Sequence, residues 1–167
     1  MIRFAVRRCS LGLALVATNE KGVCAILLGD EEEALREELR RRFPRAQLTE
    51  TEQDQEGFVA AALALLDAPA SRPEFPFDAR GTEFQRRVWA ALRDIPPGET
   101  ASYAEIARRI GAPTATRAVA GACGANPIAV AIPCHRILRS DGQLSGYRWG
   151  VARKRALLAR ERRAPEA

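Results

Sequence analysis

Cys134 and His135, which are adjacent in the chain, are the pair of residues best suited to covalent chemistry, and His135 is the only histidine. A thiol reacts as a thiolate, and a nearby imidazole can accept the proton that it must lose. The pair therefore indicates nucleophilic chemistry at Cys134. A lone cysteine is more often a small buried residue, and adjacent side chains on a strand point to opposite faces. The pair alone leaves both interpretations open.

The segment before this pair has to hold the thiol in place. Residues 129–132 carry no charged or hydrogen-bonding side chain, and Pro133 favours an extended residue before it. This pattern predicts a buried strand that ends at Cys134, where the backbone turns. A rigid support with one open side is what a reactive thiol requires.

The cysteine and histidine content limits the other kinds of site. The four cysteines form no C-x-x-C pair, and with one histidine they do not have the spacing of a zinc site. A chain of 167 residues that is 47% hydrophobic can bury a core without a disulfide framework. No apolar run reaches the length of a membrane span. We therefore expect a cytoplasmic protein with reduced thiols, no metal, no cofactor and no membrane partner.

Charge is divided unevenly between the two halves of the chain. Residues 1–79 hold 10 basic and 14 acidic side chains, whereas residues 80–167 hold 16 and 7, within a net charge of +5. A basic second half suits a polyanionic partner, and nucleic acid is the first candidate. The change of composition follows a proline-rich connector, so the sequence predicts two domains, residues 1–79 and residues 80–167.

The first half has the patterns of a small α/β domain. Lys21-Gly22 reads as a turn between two apolar segments, which favours folded strands over the signal peptide that Arg7-Arg8 and the apolar stretch after them imitate. We expect a three-stranded antiparallel sheet, two amphipathic helices and one further edge strand. The predicted strands are residues 2–8, 11–18, 23–28 and, at the edge, 74–78; the predicted helices are residues 30–43 and 56–66.

The second half is predicted to be mostly helical. Thr82 with Gln85, and Ser102 with Glu105, form two capping boxes that mark helix starts. The short helix after Ser102 and a second one within residues 114–126 form a helix-turn-helix candidate.

The second of these two helices has mostly small side chains. Arg117 is its one long polar residue, a composition that suits close approach to DNA with little reading of sequence. A packed helix with one solvated arginine fits the same pattern.

The loop over residues 144–150 can line a pocket for a flat base or be a packed connector. Glu161 lies in a final helix predicted over residues 151–162. It either forms a simple surface ion pair or is a carboxylate positioned for the chemistry.

Several short segments together are specific to one family. They are Gly81-Thr82-Glu83-Phe84-Gln85, Val88-Trp89, Ile95-Pro96-Pro97-Gly98, Ser102-Tyr103, Arg117-Ala118-Val119, Asn126-Pro127, Ile132-Pro133-Cys134-His135-Arg136 and Ser145-Gly146-Tyr147-Arg148-Trp149-Gly150. In these segments the sequence resembles the O6-alkylguanine-DNA alkyltransferases. It is similar in particular to the methyltransferase half of the bacterial adaptive-response (Ada) proteins, over essentially the whole chain.

The resemblance implies a fold and a reaction. The fold is α/β, with a small N-terminal domain similar to ribonuclease H followed by a mostly helical C-terminal domain with a helix-turn-helix. A monomer binds the minor groove of duplex DNA, extrudes the damaged guanine and transfers the O6-alkyl group irreversibly to its own cysteine. O4-methylthymine is a second candidate substrate.

The resemblance also implies a role for five residues of the reaction site. Cys134 is the alkyl acceptor, His135 takes the thiol proton through a water molecule, and Glu161 orients His135. Asn126 holds the turns around the site. Tyr103 helps to rotate the nucleotide and donates to the purine ring as it leaves.

Further residues are implied for the DNA contact and for the base pocket. Arg117 fills the gap that the extruded base leaves in the stack. Tyr147 lines the pocket, and a backbone N–H near Arg148 faces O6. The other implied DNA contacts are Ser102, Thr116, Ala118 and Arg136, and Ile137 completes the implied pocket.

Two other functions fit parts of the sequence. A lesion sensor or helix-turn-helix regulator would leave the cysteine unused, and a thiol hydrolase would be built from Cys134, His135 and Asn126. The hydrolase is disfavoured because its nucleophile and base usually come from separate segments, and because a basic half would have no purpose in it. Phosphotriester repair and transcription activation belong to the other half of the adaptive-response proteins and are not expected of this chain.

Overall fold

The computed structural model describes residues 1–162, which form two compact units. The main change of unit falls between Arg80 and Gly81. None of the helices in this part of the chain is both long and apolar enough to cross a membrane. The first unit comprises Met1–Asp67, Arg72–Arg80 and Pro127–Ala129, and the second comprises Ala68–Ser71, Gly81–Asn126 and the described residues from Val130 onward.

The first unit is built on a four-stranded sheet. β1 (Ile2–Cys9), β2 (Gly12–Asn19) and β3 (Gly22–Gly29) form the predicted antiparallel meander. β4 (Leu48–Glu50) lies parallel to β1, so the strand order is β3-β2-β1-β4. The sheet therefore has four strands, and the prediction of a three-stranded sheet is wrong. β4 has only three residues, none of them buried, so no alternating apolar pattern marks it in the sequence.

Two helices contact this sheet, and both were predicted. α1 (Glu32–Arg42) buries Leu35 and Leu39 and contacts β2 and β3. α2 (Phe58–Asp67) contacts all three long strands. The core of the unit therefore lies between the apolar sides of the helices and the sheet, and β3 is buried along nearly its whole length.

The proline-rich connector does not form the edge strand predicted over residues 74–78. Phe77 makes one isolated bridge with Val23, and the carbonyl oxygen of Pro76 accepts a hydrogen bond from the Val23 N–H at 2.8 Å. Proline has no N–H to donate to a ladder, so a regular strand does not develop here.

The second unit is mostly helical, as predicted. Both capping boxes form, so its first two helices begin where the sequence indicates. The predicted helix-turn-helix consists of α4 and α5, which are in contact and are joined by a turn at Gly111, where φ is 76°. The elements are α3 (Glu83–Arg93), β5 (Ala101–Ser102), α4 (Tyr103–Arg109), α5 (Thr116–Gly124), β6 (Ile137–Leu138), which pairs in parallel with β5, and α6 (Val151–Arg162).

Trp89 joins α3 to α5 in the core of this unit. Its side chain is 3% exposed, and its indole Nε1 donates a hydrogen bond to the carbonyl oxygen of Ala122 at 2.9 Å. Gly81 lies against the same indole, because a Cβ at position 81 would be 2.5 Å from the Trp89 ring. The ring is rigid and held by its hydrogen bond, so a side chain at position 81 has no room.

Two identical substitutions are expected to change stability in opposite directions. Gly81→Ala should lower the free energy of unfolding by about 1–3 kcal/mol, because the added methyl group overpacks the indole. Gly121→Ala should raise it by about 0.5–1 kcal/mol, because a Cβ there meets no atom within 4 Å and alanine favours the helix. Urea unfolding followed by tryptophan fluorescence measures both. Equal effects of the two changes would contradict this view of Gly81.

Candidate active site

Residues 129–132 are buried, but they do not form the predicted strand. The N–H of Ala129 donates to the carbonyl oxygen of Ile26, and the pairing with β3 is an isolated bridge at Ile128. Val130 then has a φ of 69°, a left-handed conformation that β-branched residues rarely adopt. The prediction of a strand is therefore wrong, because the chain turns at a residue whose type does not favour a turn. A single 3₁₀ turn over Cys134–Arg136 follows.

Asn126 holds this turn against the thiol. Its side chain is fully buried, and its Nδ2 donates to the carbonyl oxygen of Ile132 at 2.8 Å and to Sγ of Cys134 at 3.2 Å. Burial raises the pKa of the Cys134 thiol to about 11, although the Asn126 hydrogen bond and the charge of Lys154 oppose this effect. The thiol is therefore protonated at neutral pH and needs a base before it can act as a nucleophile.

The side chains of His135 and Glu161 form a fully buried pair. Nε2 of His135 lies 3.1 Å from Oε2 of Glu161. Burial lowers the pKa of His135, and the carboxylate only partly offsets this effect, so the imidazole is neutral at neutral pH. Because the carboxylate accepts the Nε2–H, the lone pair lies on Nδ1. Nδ1 is buried and has no hydrogen-bond partner among the described residues, so it is available as a base.

Arg136 occupies the interior instead of the DNA contact implied by the sequence. It is 6% exposed, and its Nε donates to both carboxylate oxygens of Glu161 at 3.1 and 2.9 Å. Its other donors reach the carbonyl oxygens of Ile95 at 2.7 Å and Pro69 at 3.2 Å. The expectation that Arg136 contacts DNA is therefore corrected, because its guanidinium donates its hydrogen bonds inside the second unit.

The same network decides between the two interpretations of Glu161. Its side chain is fully buried, so it is not a surface ion-pair partner. Burial alone would raise the pKa of this carboxyl group, but the hydrogen bonds from His135 and Arg136 outweigh burial and hold the pKa below its ordinary value. Glu161 is therefore a charged carboxylate that Arg136 fixes against the His135 ring.

Cys134 lines a cavity of about 220 Å³ within the second unit. Tyr103 from α4 and Tyr147 from the glycine-containing loop line it as well. Ile137, by contrast, is not among the lining residues, because it is fully buried in β6 opposite Ala101. The expectation that Ile137 belongs to the pocket is therefore corrected. The remaining lining residues are Ala120, Cys123, Gly124, Gly146 and Arg148.

The residues expected at DNA, apart from Arg136, lie at the starts of α4 and α5. Thr116, Arg117 and Ala118 form the exposed first turn of α5. The hydroxyl of Ser102 accepts a hydrogen bond from the Glu105 N–H and so caps α4. The side chain of Ser102 is thus engaged in the capping box, while the α5 turn presents one long cation among small residues.

Three residues near the cavity were not singled out from the sequence. Cys123 lines the cavity, Ser145 contacts Tyr103, and Lys154 is fully buried. A signal for Lys154 did exist: it lies three residues before the buried Leu157 and seven before Glu161, so a helix places all three on one face. The sequence places Ser145 in the loop that can line a pocket, but nothing in it indicates the contact of Ser145 with Tyr103.

The buried thiol leads to a prediction about its reactivity without DNA. In the variant His135→Gln, which lacks the buried base, alkylation of Cys134 by iodoacetamide should be slow at neutral pH and should rise about tenfold per pH unit, because the thiolate fraction grows until the pH reaches the thiol pKa of about 11. Peptide mass spectrometry measures the rate of alkylation at Cys134, with the half-buried Cys9 as an internal reference. A rate for Cys134 that levels off near neutral pH would contradict the protonated thiol.

Comparison with known proteins finds relatives of this chain. Residues 83–163 match the model of the 6-O-methylguanine DNA methyltransferase DNA-binding domain. The bifunctional transcriptional activator/DNA repair enzyme Ada of Escherichia coli is 51% identical over 160 residues, which are 96% of this chain and 45% of that protein. The inducible methylated-DNA–protein-cysteine methyltransferase of Bacillus subtilis is 39% identical over 153 residues, 92% of this chain and 80% of that protein.

Solved structures show the same fold. The crystal structure of Mycobacterium tuberculosis OGT in complex with DNA superimposes with a TM-score of 0.80 and 37% identity, over 96% of this chain and 92% of that chain. The mixed α/β fold is thus shared with a protein crystallised on DNA. The chain spans about half the length of the first two curated relatives it matches.

Proposed function

The chain belongs to the methylated-DNA–protein-cysteine methyltransferase family, and from this premise we propose that it repairs O6-alkylguanine in duplex DNA by taking the alkyl group onto Cys134. The observation that carries the proposal is the cavity in which Cys134 lies beside Tyr103 and Tyr147. The transfer is irreversible, so each molecule reacts once.

The reaction uses the buried network behind the thiol. The thiol proton of Cys134 passes through a water molecule to Nδ1 of His135, and Glu161 stabilises the imidazolium that forms. Sγ then bonds to the alkyl carbon while the bond from that carbon to O6 breaks. The electron pair goes to the purine, which accepts a hydrogen bond from Tyr103 and later regains a proton from solvent. Asn126 keeps the sulfur in position by its 3.2 Å hydrogen bond.

DNA is bound at the exposed start of α5. The small side chains of Thr116 and Ala118 allow a close approach to the minor groove, and Arg117 enters the stack where the guanine has left. The basic second half of the chain and the DNA complex of the Mycobacterium tuberculosis relative support DNA as the partner. A monomeric state and a cytoplasmic location stay predictions.

Arg117→Ala should weaken repair of duplex DNA more than transfer from the free base. Without Arg117 the extruded state loses part of the compensation for unstacking, so single-turnover transfer from duplex O6-methylguanine should fall about tenfold, equivalent to roughly 1.4 kcal/mol. Transfer from free O6-methylguanine should stay within about twofold. Arg108→Ala, which removes an exposed charge of α4, is the matched control at saturating DNA. Equal losses on both substrates would remove the role of Arg117 in extrusion.

The decisive test of the function is a stoichiometric one. Wild-type protein is incubated with duplex DNA that carries O6-methylguanine, and its peptides are weighed. We expect one added methyl group on the Cys134 peptide, at most one event per molecule, and no modification in Cys134→Ala, which should keep its DNA affinity. Multiple turnover would indicate a hydrolase, and binding without a mass change would indicate a lesion sensor. A parallel duplex with O4-methylthymine tests the second substrate.

A further inference from the structure

Lys154 places a buried amine beside the cavity of Cys134. The residue is fully buried, and its Nζ donates to Oγ of Ser145 at 2.9 Å and contacts the carbonyl oxygen of Gly146 at 3.5 Å. No carboxylate of the described residues lies within 4 Å of this nitrogen. Burial lowers the pKa of Lys154, and among the described residues only the negative charge of the Cys134 and Cys123 thiolates opposes this effect. A buried ammonium without an acid is costly, and such groups cluster at functional sites.

The hydrogen bonds around Ser145 connect this amine to the cavity. Oγ of Ser145 lies 2.6 Å from the hydroxyl oxygen of Tyr103, and Tyr103 lines the cavity together with Cys134. An ammonium group has donors only, so Oγ of Ser145 accepts from Lys154. Either hydroxyl can be the donor in the contact between Ser145 and Tyr103; when Ser145 donates, the hydrogen of the Tyr103 hydroxyl is left for an acceptor in the cavity.

We propose that Lys154 and Ser145 are positioning residues that fix the direction of this hydrogen-bond chain and so make Tyr103 a donor toward the departing purine. The inference rests on the proposed alkyl transfer. As the bond from O6 to the alkyl carbon breaks, its electron pair moves onto the purine, and the oriented Tyr103 hydroxyl stabilises that charge without first having to rotate. Ser145 acts only through Tyr103, whereas the charge of Lys154 also favours the Cys134 thiolate.

Two alkyl donors with different leaving groups separate these roles. Duplex O6-methylguanine releases a purine that needs a hydrogen-bond donor, whereas methyl iodide releases iodide, which does not. Ser145→Ala should slow single-turnover transfer from the duplex about tenfold and leave methylation of Cys134 by methyl iodide unchanged. Lys154→Met should slow both reactions. Ser140→Ala, the same change at an exposed serine in the nearby turn, should alter neither.

A double-mutant cycle tests whether Ser145 acts through Tyr103. Tyr103→Phe removes the donor, so adding Ser145→Ala to that variant should cause no further loss of transfer. DNA affinity and thermal unfolding are measured for every variant, and Ser145→Ala, which removes one oxygen at a half-buried site, keeps the test usable if Lys154→Met does not fold.

Three outcomes would overturn the inference: an unchanged rate in Ser145→Ala, equal slowing with both alkyl donors, or additive losses in the double variant. Wild-type protein that reacts with methyl iodide but takes no methyl group from the duplex would contradict the proposed function itself. Because the wild-type protein alone shows this failure of the proposed function, it is recognised before any variant is measured.

Discussion

His135→Gln is expected to slow alkyl transfer about 10²- to 10⁴-fold at neutral pH. The Cys134 thiol has a pKa raised to about 11 by burial, so little thiolate exists without a base. Glutamine can still donate a hydrogen bond to Glu161, but its amide does not accept a proton. Single-turnover transfer from duplex O6-methylguanine at saturating protein measures the loss.

The pH dependence of this deficit identifies its cause. Burial holds the pKa of His135 below its ordinary value, so the wild-type rate should change little above neutral pH. In His135→Gln the proton must leave to solvent, so the rate should rise about tenfold per pH unit and the gap should narrow toward about pH 10. DNA binding and unfolding of the variant serve as controls. A deficit that stays constant with pH would mean that His135 orients the site without accepting the proton.

Arg136→Met is expected to lower the free energy of unfolding by about 3–5 kcal/mol, because it leaves the buried Glu161 carboxylate without its cation. The carbonyl oxygen of Ile95 loses its donor as well. Loss of this partner should also raise the pKa of Glu161. Urea unfolding followed by the fluorescence of Trp89 and Trp149, both in the second unit, measures the change.

A neighbouring arginine is the matched control for this prediction. Arg139 is exposed three residues further along the chain, so Arg139→Met should change the free energy of unfolding by less than about 0.5 kcal/mol. If the two arginine variants were equally stable, Arg136 would not be holding the network together. The contrast separates a buried ion pair from the general effect of removing a positive charge.

Local features of the fold could be predicted from the sequence because they depend on neighbouring residues. The capping boxes at Thr82 and Ser102 lie within four residues each, and both helices begin there. The meander of β1, β2 and β3 follows from apolar alternation between two tight turns. β4 and the turn at Val130 could not be predicted, because one depends on backbone pairing at a sheet edge and the other opposes the preference of its own residue.

Some features of the candidate site could likewise be predicted from the sequence, and others could not. The adjacency of Cys134 and His135 and the resemblance of their segment to one family indicated a thiol nucleophile and its base. The burial of Arg136 and of Ile137 was not foreseeable, because the same residues next to an active thiol can face either DNA or the core. The helical spacing of Lys154 to Leu157 and Glu161 hints at a shared face, but the burial of Lys154 depends on what packs over that face of α6.

The sequence by itself determined which groups the chemistry has: one histidine, a thiol after a proline, an arginine on a helix of small residues, and a basic second half. Only the tertiary structure decided how these groups are connected. The His135–Glu161 and Tyr103–Ser145 contacts join residues 26 and 42 positions apart. Such contacts arise from packing between elements. Packing also sets the burial that keeps the Cys134 thiol neutral and leaves Lys154 without a carboxylate partner among residues 1–162.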